Sequence, residues 1–158
     1  MMMNDLTNCP CGRGIYAQCC KPLHQVLERA KDAEQLMRSR YSAFALQYIE
    51  YLIETTAKGQ QKYLDQDAIK AWSQQNQWLK LEVIGHLPKL DKSHAQVEFK
   101  AYYHDGVQEQ IHHEVSHFVL FEHAWYFLDP TLDMQVTMKQ ACICGSAKKF
   151  KQCCAQFI

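Results

Sequence analysis

Hydrophobic residues early in the central part of the chain keep helical time. Leu36, Tyr41, Phe44, Tyr48, Tyr51 and Leu52 recur at spacings near three and four, which predicts one long helix over residues 33–55. A second helix is predicted over 67–75, ending before Trp78. The period then changes to two. Residues 78–84 alternate, residues 95–102 alternate cleanly, and Asp105-Gly106 supplies a hairpin turn that leads into a strand over 110–121. A short turn at Glu122-His123-Ala124 precedes a last strand over 125–128, stopped by Asp129-Pro130. Helices first and an antiparallel sheet afterwards make an α+β chain.

Composition narrows this picture. The chain has 158 residues, enough for one central domain with small appendages, and 47% of them are apolar, enough for a core. Lysine plus arginine balances aspartate plus glutamate, 17 against 17, so no long-range field draws in nucleic acid or an anionic membrane surface. Residues 1–8 contain no apolar targeting stretch, and the longest apolar runs, 118–121 and 125–128, are strand-sized rather than membrane-sized. These features predict a soluble, cytoplasmic protein.

The eight cysteines add the first chemistry. All lie in 9–20 or 142–154, and residues 21–141 contain none. The clusters form an internal repeat: Cys9-x-Cys11-Gly12 followed by Cys19-Cys20, and Cys142-x-Cys144-Gly145 followed by Cys153-Cys154, the second linker being one residue longer. A Cys-x-Cys bend offers two thiolates, the following glycine admits positive φ, and a short helical turn returns two more to the same ion. Cys9, Cys11, Cys19, Cys20, Cys142, Cys144, Cys153 and Cys154 are therefore the expected ligands of two structural Zn2+ ions. Such closed four-thiolate sites stabilise a fold and perform no reaction. Lys148, Lys149 and Lys151 at the second cluster, and Arg13 and Lys21 at the first, would offset the thiolate charge. Thiol redox chemistry is the competing use of these residues.

Cys142, Cys144, Gly145, Ser146, the run Lys148-Lys149-Phe150-Lys151 and Cys153-Cys154 resemble the SEC-C motif, the zinc-binding module at the end of the preprotein-translocase ATPase. Many such modules end in histidine where this chain has Cys154. The first cluster resembles the same module with a shortened link. The central elements are similar to the nuclear transport factor 2-like (cystatin-like) cone, a long helix across a curved antiparallel sheet. Residues 36–44, 113–118 and 125–129 resemble the signatures of the YchJ family, formerly UPF0225, which implies such a cone flanked by two zinc knuckles. The organisation expected is a knuckle over 1–27, the cone over 28–139 and a second knuckle over 140–158.

His113-Glu114-Val115-Ser116-His117 spells the metalloprotease signature. On the strand expected here, histidines four apart are separated by about 13 Å and cannot share an ion. No other catalytic signature is present. If the cone holds a pocket, Arg38, Arg40, Tyr41, Trp78, Tyr102, His113 and Trp125 are its candidate lining. One arginine would hold an anion and the other a carboxylate such as Asp129. His86, His113 and His117 are candidate acid–base groups for an isomerase- or hydrolase-type enzyme. The resemblance to SEC-C modules, which dock on proteins, favours instead a non-catalytic adaptor with a protein partner at Lys148, Lys149 and Lys151. Cones of this type also imply a homodimer through the sheet.

Overall fold

The structure, a computed structural model, describes residues 6–158; the first five residues, part of the stretch read above for targeting signals, lie outside the described residues. The N-terminal knuckle is followed by α1 (Lys21–His24), α2 (Ala33–Leu46), α3 (Ile49–Glu54), a 3-10 segment Lys58–Tyr63 and α4 (Gln66–Gln75). Four strands follow, β1 (Gln77–Leu87), β2 (His94–His104), β3 (Glu109–Phe121) and β4 (Ala124–Leu128), paired antiparallel in sequence order. Among the described residues no helix is long and apolar enough to cross a membrane.

The helix expected over 33–55 is two helices. Asp32 caps α2 by accepting from the Gln35 amide at 2.8 Å. At the other end Gln47 takes φ 62 and ψ 38, and Tyr48 N–H donates to Ala43 C=O at 2.8 Å, the wrapping bond of a left-handed helix terminus. Nothing in the sequence marks that stop, because glutamine stands where glycine is usual. The break redirects the chain so that α3 packs beside α2, with Ile49 and Leu52 against Ala43.

The sheet has two differently used faces. Odd-numbered residues of β2 and even-numbered residues of β3 face α2: Ala95, Val97 and Phe118 are buried with Ala33, Leu36 and Met37. On the opposite face His94, Val119 and Leu128 are buried beneath the C-terminal knuckle. Farther along that face Ile111 and Val115 stay exposed. β1 carries two irregularities, at Trp78/Lys80 and Val83/Gly85, which bend the sheet around the helices. The last hairpin turns on Glu122 (φ 48) and His123 (φ 67), a two-residue turn of the hand that matches strand twist.

Candidate metal centres and the central pocket

Each knuckle is built by the same backbone bonds. Cys9 N–H donates to Gly14 C=O at 2.7 Å and Gly12 N–H to Cys9 C=O at 2.9 Å; Cys142 N–H donates to Lys148 C=O at 2.8 Å and Gly145 N–H to Cys142 C=O at 3.1 Å. Gly12 and Gly145 sit at φ 81 and 99, the conformation that folds the turn under the sulfurs. A 3-10 turn opening on a buried aromatic, Tyr16 or Phe150, returns the paired cysteines. The extra residue of the second cluster is absorbed inside the turn, before the closing bond, so the two sulfur sets end alike.

In each cluster the four Sγ atoms lie within 4.8 Å of one another. Cys11–Cys19, Cys19–Cys20 and Cys11–Cys20 are 3.5, 3.9 and 3.9 Å apart, and Cys144–Cys153 and Cys153–Cys154 are both 3.8 Å. A disulfide is about 2.05 Å. A tetrahedron with metal–sulfur bonds of about 2.3 Å has edges of about 3.8 Å. All eight thiols are free. Hydrogen bonds from Cys11 and Cys20 hold Cys9 well below its ordinary value, whereas burial pushes Cys19 up to about 12 and bonds to Cys11 and Cys9 keep Cys20 protonated. In the second cluster Cys142 and Cys154 lower Cys144, burial pushes Cys153 up to about 12, and bonds to Cys142 and Cys144 raise Cys154. A cation bound among four thiols this close would displace their protons.

Groups from the cone brace both clusters. The buried Ser42 hydroxyl lies 3.4 Å from Cys9 Sγ and 3.4 Å from Cys20 Sγ. Arg38 Nη1 donates to Cys11 C=O at 3.1 Å, and its Nε donates to Glu34 at 2.9 Å, the carboxylate that Arg13 also binds. His24 Nε2 donates to Ser39 C=O at 2.8 Å, so Nδ1 accepts from the Tyr16 hydroxyl at 2.8 Å. At the second cluster Asp91 accepts from His94 Nδ1 at 2.8 Å, and Nε2 meets Cys154 Sγ at 3.4 Å. His94 is 2% exposed. Nothing in the sequence ties it to a cysteine sixty positions later. Lys148, Lys149 and Lys151 are all exposed at this knuckle.

Between α2, α4 and the sheet lies a cavity of about 310 Å3. Of the residues singled out from sequence, Arg40, Tyr41 and Trp78 line it. Arg38 turns toward the N-terminal knuckle instead. Tyr102 is on the far face of the sheet, donating to Glu82 at 2.9 Å beneath the Lys80 ammonium. His113 shares that face and pairs with Glu98 at 2.7 Å. Trp125 packs beside the Ala33–Leu36 cluster, away from the cavity. His86 sits against Glu34 at 3.6 Å, and His117 pairs with Gln96 at 3.1 Å on the far face.

The polar row that does enter the cavity is His112, Glu114 and Ser116, alternate residues of β3. His112 Nε2 donates to Glu114 at 3.2 Å, and the Ser116 hydroxyl donates to the same carboxylate. The hydrogen bond it donates to Glu114 raises His112. Burial pushes Glu114 up, but the bonds from His112 and Ser116 and the Arg40 charge outweigh it and hold the carboxyl low. Both shifts favour the charged forms, His112 as donor and Glu114 as acceptor.

Comparison with known proteins matches this architecture. Residues 32–130 match the model of the YchJ middle NTF2-like domain, and 138–156 match the SEC-C motif. A UPF0225 protein of Actinobacillus succinogenes is 42% identical over 151 residues, covering 95% of this chain and 97% of that one. One from Haemophilus influenzae is 45% identical over 155 residues, covering 98% and 95%. The crystal structure of a SEC-C motif containing protein from Psychrobacter arcticus superposes with a TM-score of 0.91 at 46% identity, covering 99% of this chain and all of that one. The solution structure of a SEC-C motif containing protein from Rhodopseudomonas palustris gives 0.72 at 39%, covering 78% and 96%. With its NTF2-like cone between two four-cysteine knuckles, the chain belongs to the UPF0225 (YchJ) family.

Proposed function

We propose that this is a small-molecule-binding protein of the cytoplasm whose cone pocket is the working site and whose two knuckles are structural zinc staples. The observation that carries this reading is a cavity of about 310 Å3 with mostly apolar and aromatic walls that nevertheless contains Arg40 and the His112–Glu114–Ser116 row. His112 is half exposed, but Glu114 and Arg40 are sheltered among these walls; a packed core excludes such groups because burying them is costly, whereas a binding site needs a few of them to orient its ligand. Zinc is favoured over other cations by four thiolates in a tetrahedron, with no open position for chemistry. Removal of the ions would loosen the walls, since Tyr41 packs on the N-terminal cysteines and the sheet carries the C-terminal ones. A thermal-shift screen of compounds of up to about 15 heavy atoms against the zinc-loaded chain tests the reading. Stabilising compounds that move the indole N–H signals of Trp72 and Trp78, which line the cavity, are expected. A screen without one such compound refutes it.

A second reading rests on Lys148, Lys149 and Lys151, three exposed cations on the edge of the C-terminal knuckle in a chain of zero net charge. They suit an acidic protein partner. A partner captured by the wild type and lost by the variant K148E/K149E/K151E supports the adaptor role; equal capture by both removes it. The exposed Ile111 and Val115 are where a second copy would seat in a homodimer.

A further inference from the structure

Arg40 is hydrogen-bonded on one side only. Its Nη1 donates to Leu52 C=O at 2.8 Å, Thr55 Oγ1 at 2.7 Å and Thr56 Oγ1 at 3.4 Å, which fixes the head against the end of α3. The Phe127 ring lies 4.5 Å from Cζ. Among the described residues neither Nε nor Nη2 has a hydrogen-bond partner. Among the described residues His86 Nε2 is the sole buried side-chain nitrogen or oxygen sealed off without a partner. The free edge of Arg40 is therefore open, and Arg40 lines the cavity. Burial lowers this guanidinium to about 10, which leaves it a cation at neutral pH.

Glu114 and Asp129 act on that cation through space, but neither comes within ion-pair distance of it. Arg40 has no ion pair among the described residues. Asp129 is occupied with its own loop, accepting from Thr131 N–H at 2.9 Å and Thr131 Oγ1 at 2.6 Å. Glu114 is held by His112 and Ser116. A desolvated guanidinium with an unused planar edge is costly in a free protein, and that edge matches a carboxylate bidentately. Glu114 and Asp129 also line the cavity, so a dianion such as a phosphate monoester meets like charge.

The walls select the rest of the ligand. Tyr41 and Trp72 stand edge-on to Trp78, each with centroids 6.0 Å away, and Phe44 lies 5.7 Å from the same ring. These rings present faces and edges on which a flat ligand stacks. At about 310 Å3 the cavity is at the small end of ligand sites, room for one or two rings and a short acid arm. We infer that the pocket takes a compact aromatic monocarboxylate, its carboxylate on the Nε–Nη2 edge of Arg40 and its rings among Tyr41, Phe44, Trp72 and Trp78.

This inference rests on the pocket reading above, and one titration separates the two. The 15N-labelled, zinc-loaded full chain is titrated with 2-naphthoate, its neutral amide 2-naphthamide, octanoate and phenyl phosphate, each followed by NMR. Naphthoate is expected to move the indole N–H signals of Trp72 and Trp78 saturably and leave that of Trp125, which does not line the cavity. The amide is expected to bind at least about tenfold more weakly, the worth of a charge-assisted pair. Equal binding of acid and amide overturns the carboxylate assignment while the pocket reading stands. Tighter binding of octanoate or phenyl phosphate overturns the ligand class. No response to any of the four overturns the inference, and with an empty screen the pocket reading falls too. Because Arg40 also ties down α3, the wild-type comparison of acid with amide decides the point, and the variant R40K, expected to lose preference for the acid, supports it.

Discussion

Gly59 is where the C-terminal knuckle touches the 3-10 segment that follows α3. Its N–H donates to Ile143 C=O at 2.7 Å, inside the knuckle's Cys-Ile-Cys bend. A Cβ placed on Gly59 would lie 2.7 Å from Ile143 O and 2.9 Å from Ile143 Cα. Both obstacles are backbone, held between two buried cysteines of the cluster, and cannot swing aside as a side chain would. The backbone of Gly59 lies outside the left-handed region, so the effect of Gly59→Ala is one of space alone. Relief requires the knuckle to retreat. That breaks a hydrogen bond worth about 1 kcal/mol and strains a packed junction by roughly 1–3 kcal/mol, a loss of about 2–4 kcal/mol. For a chain of this size 1 kcal/mol moves Tm by roughly 2–4 °C, so a fall of about 4–16 °C is expected. Circular-dichroism melts of the metal-saturated protein measure it, with Gly14→Ala as control because nothing lies within 4 Å of its added Cβ. A melting temperature for Gly59→Ala that matches the control refutes the claim that the knuckle is docked rigidly here.

Two further outcomes test the surroundings of the metal centres. His94→Ala removes the imidazole between Asp91 and Cys154, and such supporting contacts typically change metal affinity by about 10–100-fold; competition with a chromophoric chelator should show one weakened ion and one unchanged, and two unchanged ions defeat the assignment. Burial lowers His24 below its ordinary 6.5, so the unfolded chain takes up that proton at higher pH than the folded one. Its contribution to stability is full above about pH 6.5 and drains away as pH falls through the lower folded-state value. Urea melts at pH 7.5, 6.5 and 5.5, with metal content followed in parallel, should show a shallower acid loss in His24→Gln, and an unchanged slope contradicts the role.

The cysteine clusters were legible in the sequence because their information is local: spacing, one glycine and an aromatic define each turn. The strands were legible from alternation, yet their facing was not. On β3 the usual rule is reversed over several residues. His112, Glu114 and Ser116 point inward because the cone encloses a cavity rather than a packed core, while Ile111 and Val115 point outward. A reader who puts apolar residues inside selects His113 and misses His112 by one position. Tyr102 went to the pocket by the same inversion on β2. His94 could not be found, since its partner Cys154 is distant in sequence and the alternating stretch read from the sequence begins one residue after it, although β2 itself starts at His94.

The covering of the outer sheet face by residues 142–154 makes the burial of that face depend on a late-made segment. β2, β3 and β4 are made first, and when they pair, Val119, Leu128 and the rim of His94 face water. Their lid does not yet exist, and if the knuckle holds the cation proposed above, it would take shape only once four thiols gather round it. Whenever the sheet pairs before the knuckle has formed, the chain carries an uncovered apolar strip, the kind of surface that recruits holding chaperones or other unfolded chains. Scarcity of metal would prolong that stage, so shortage would be felt first as poor yield of the protein and only afterwards as a fault in its pocket.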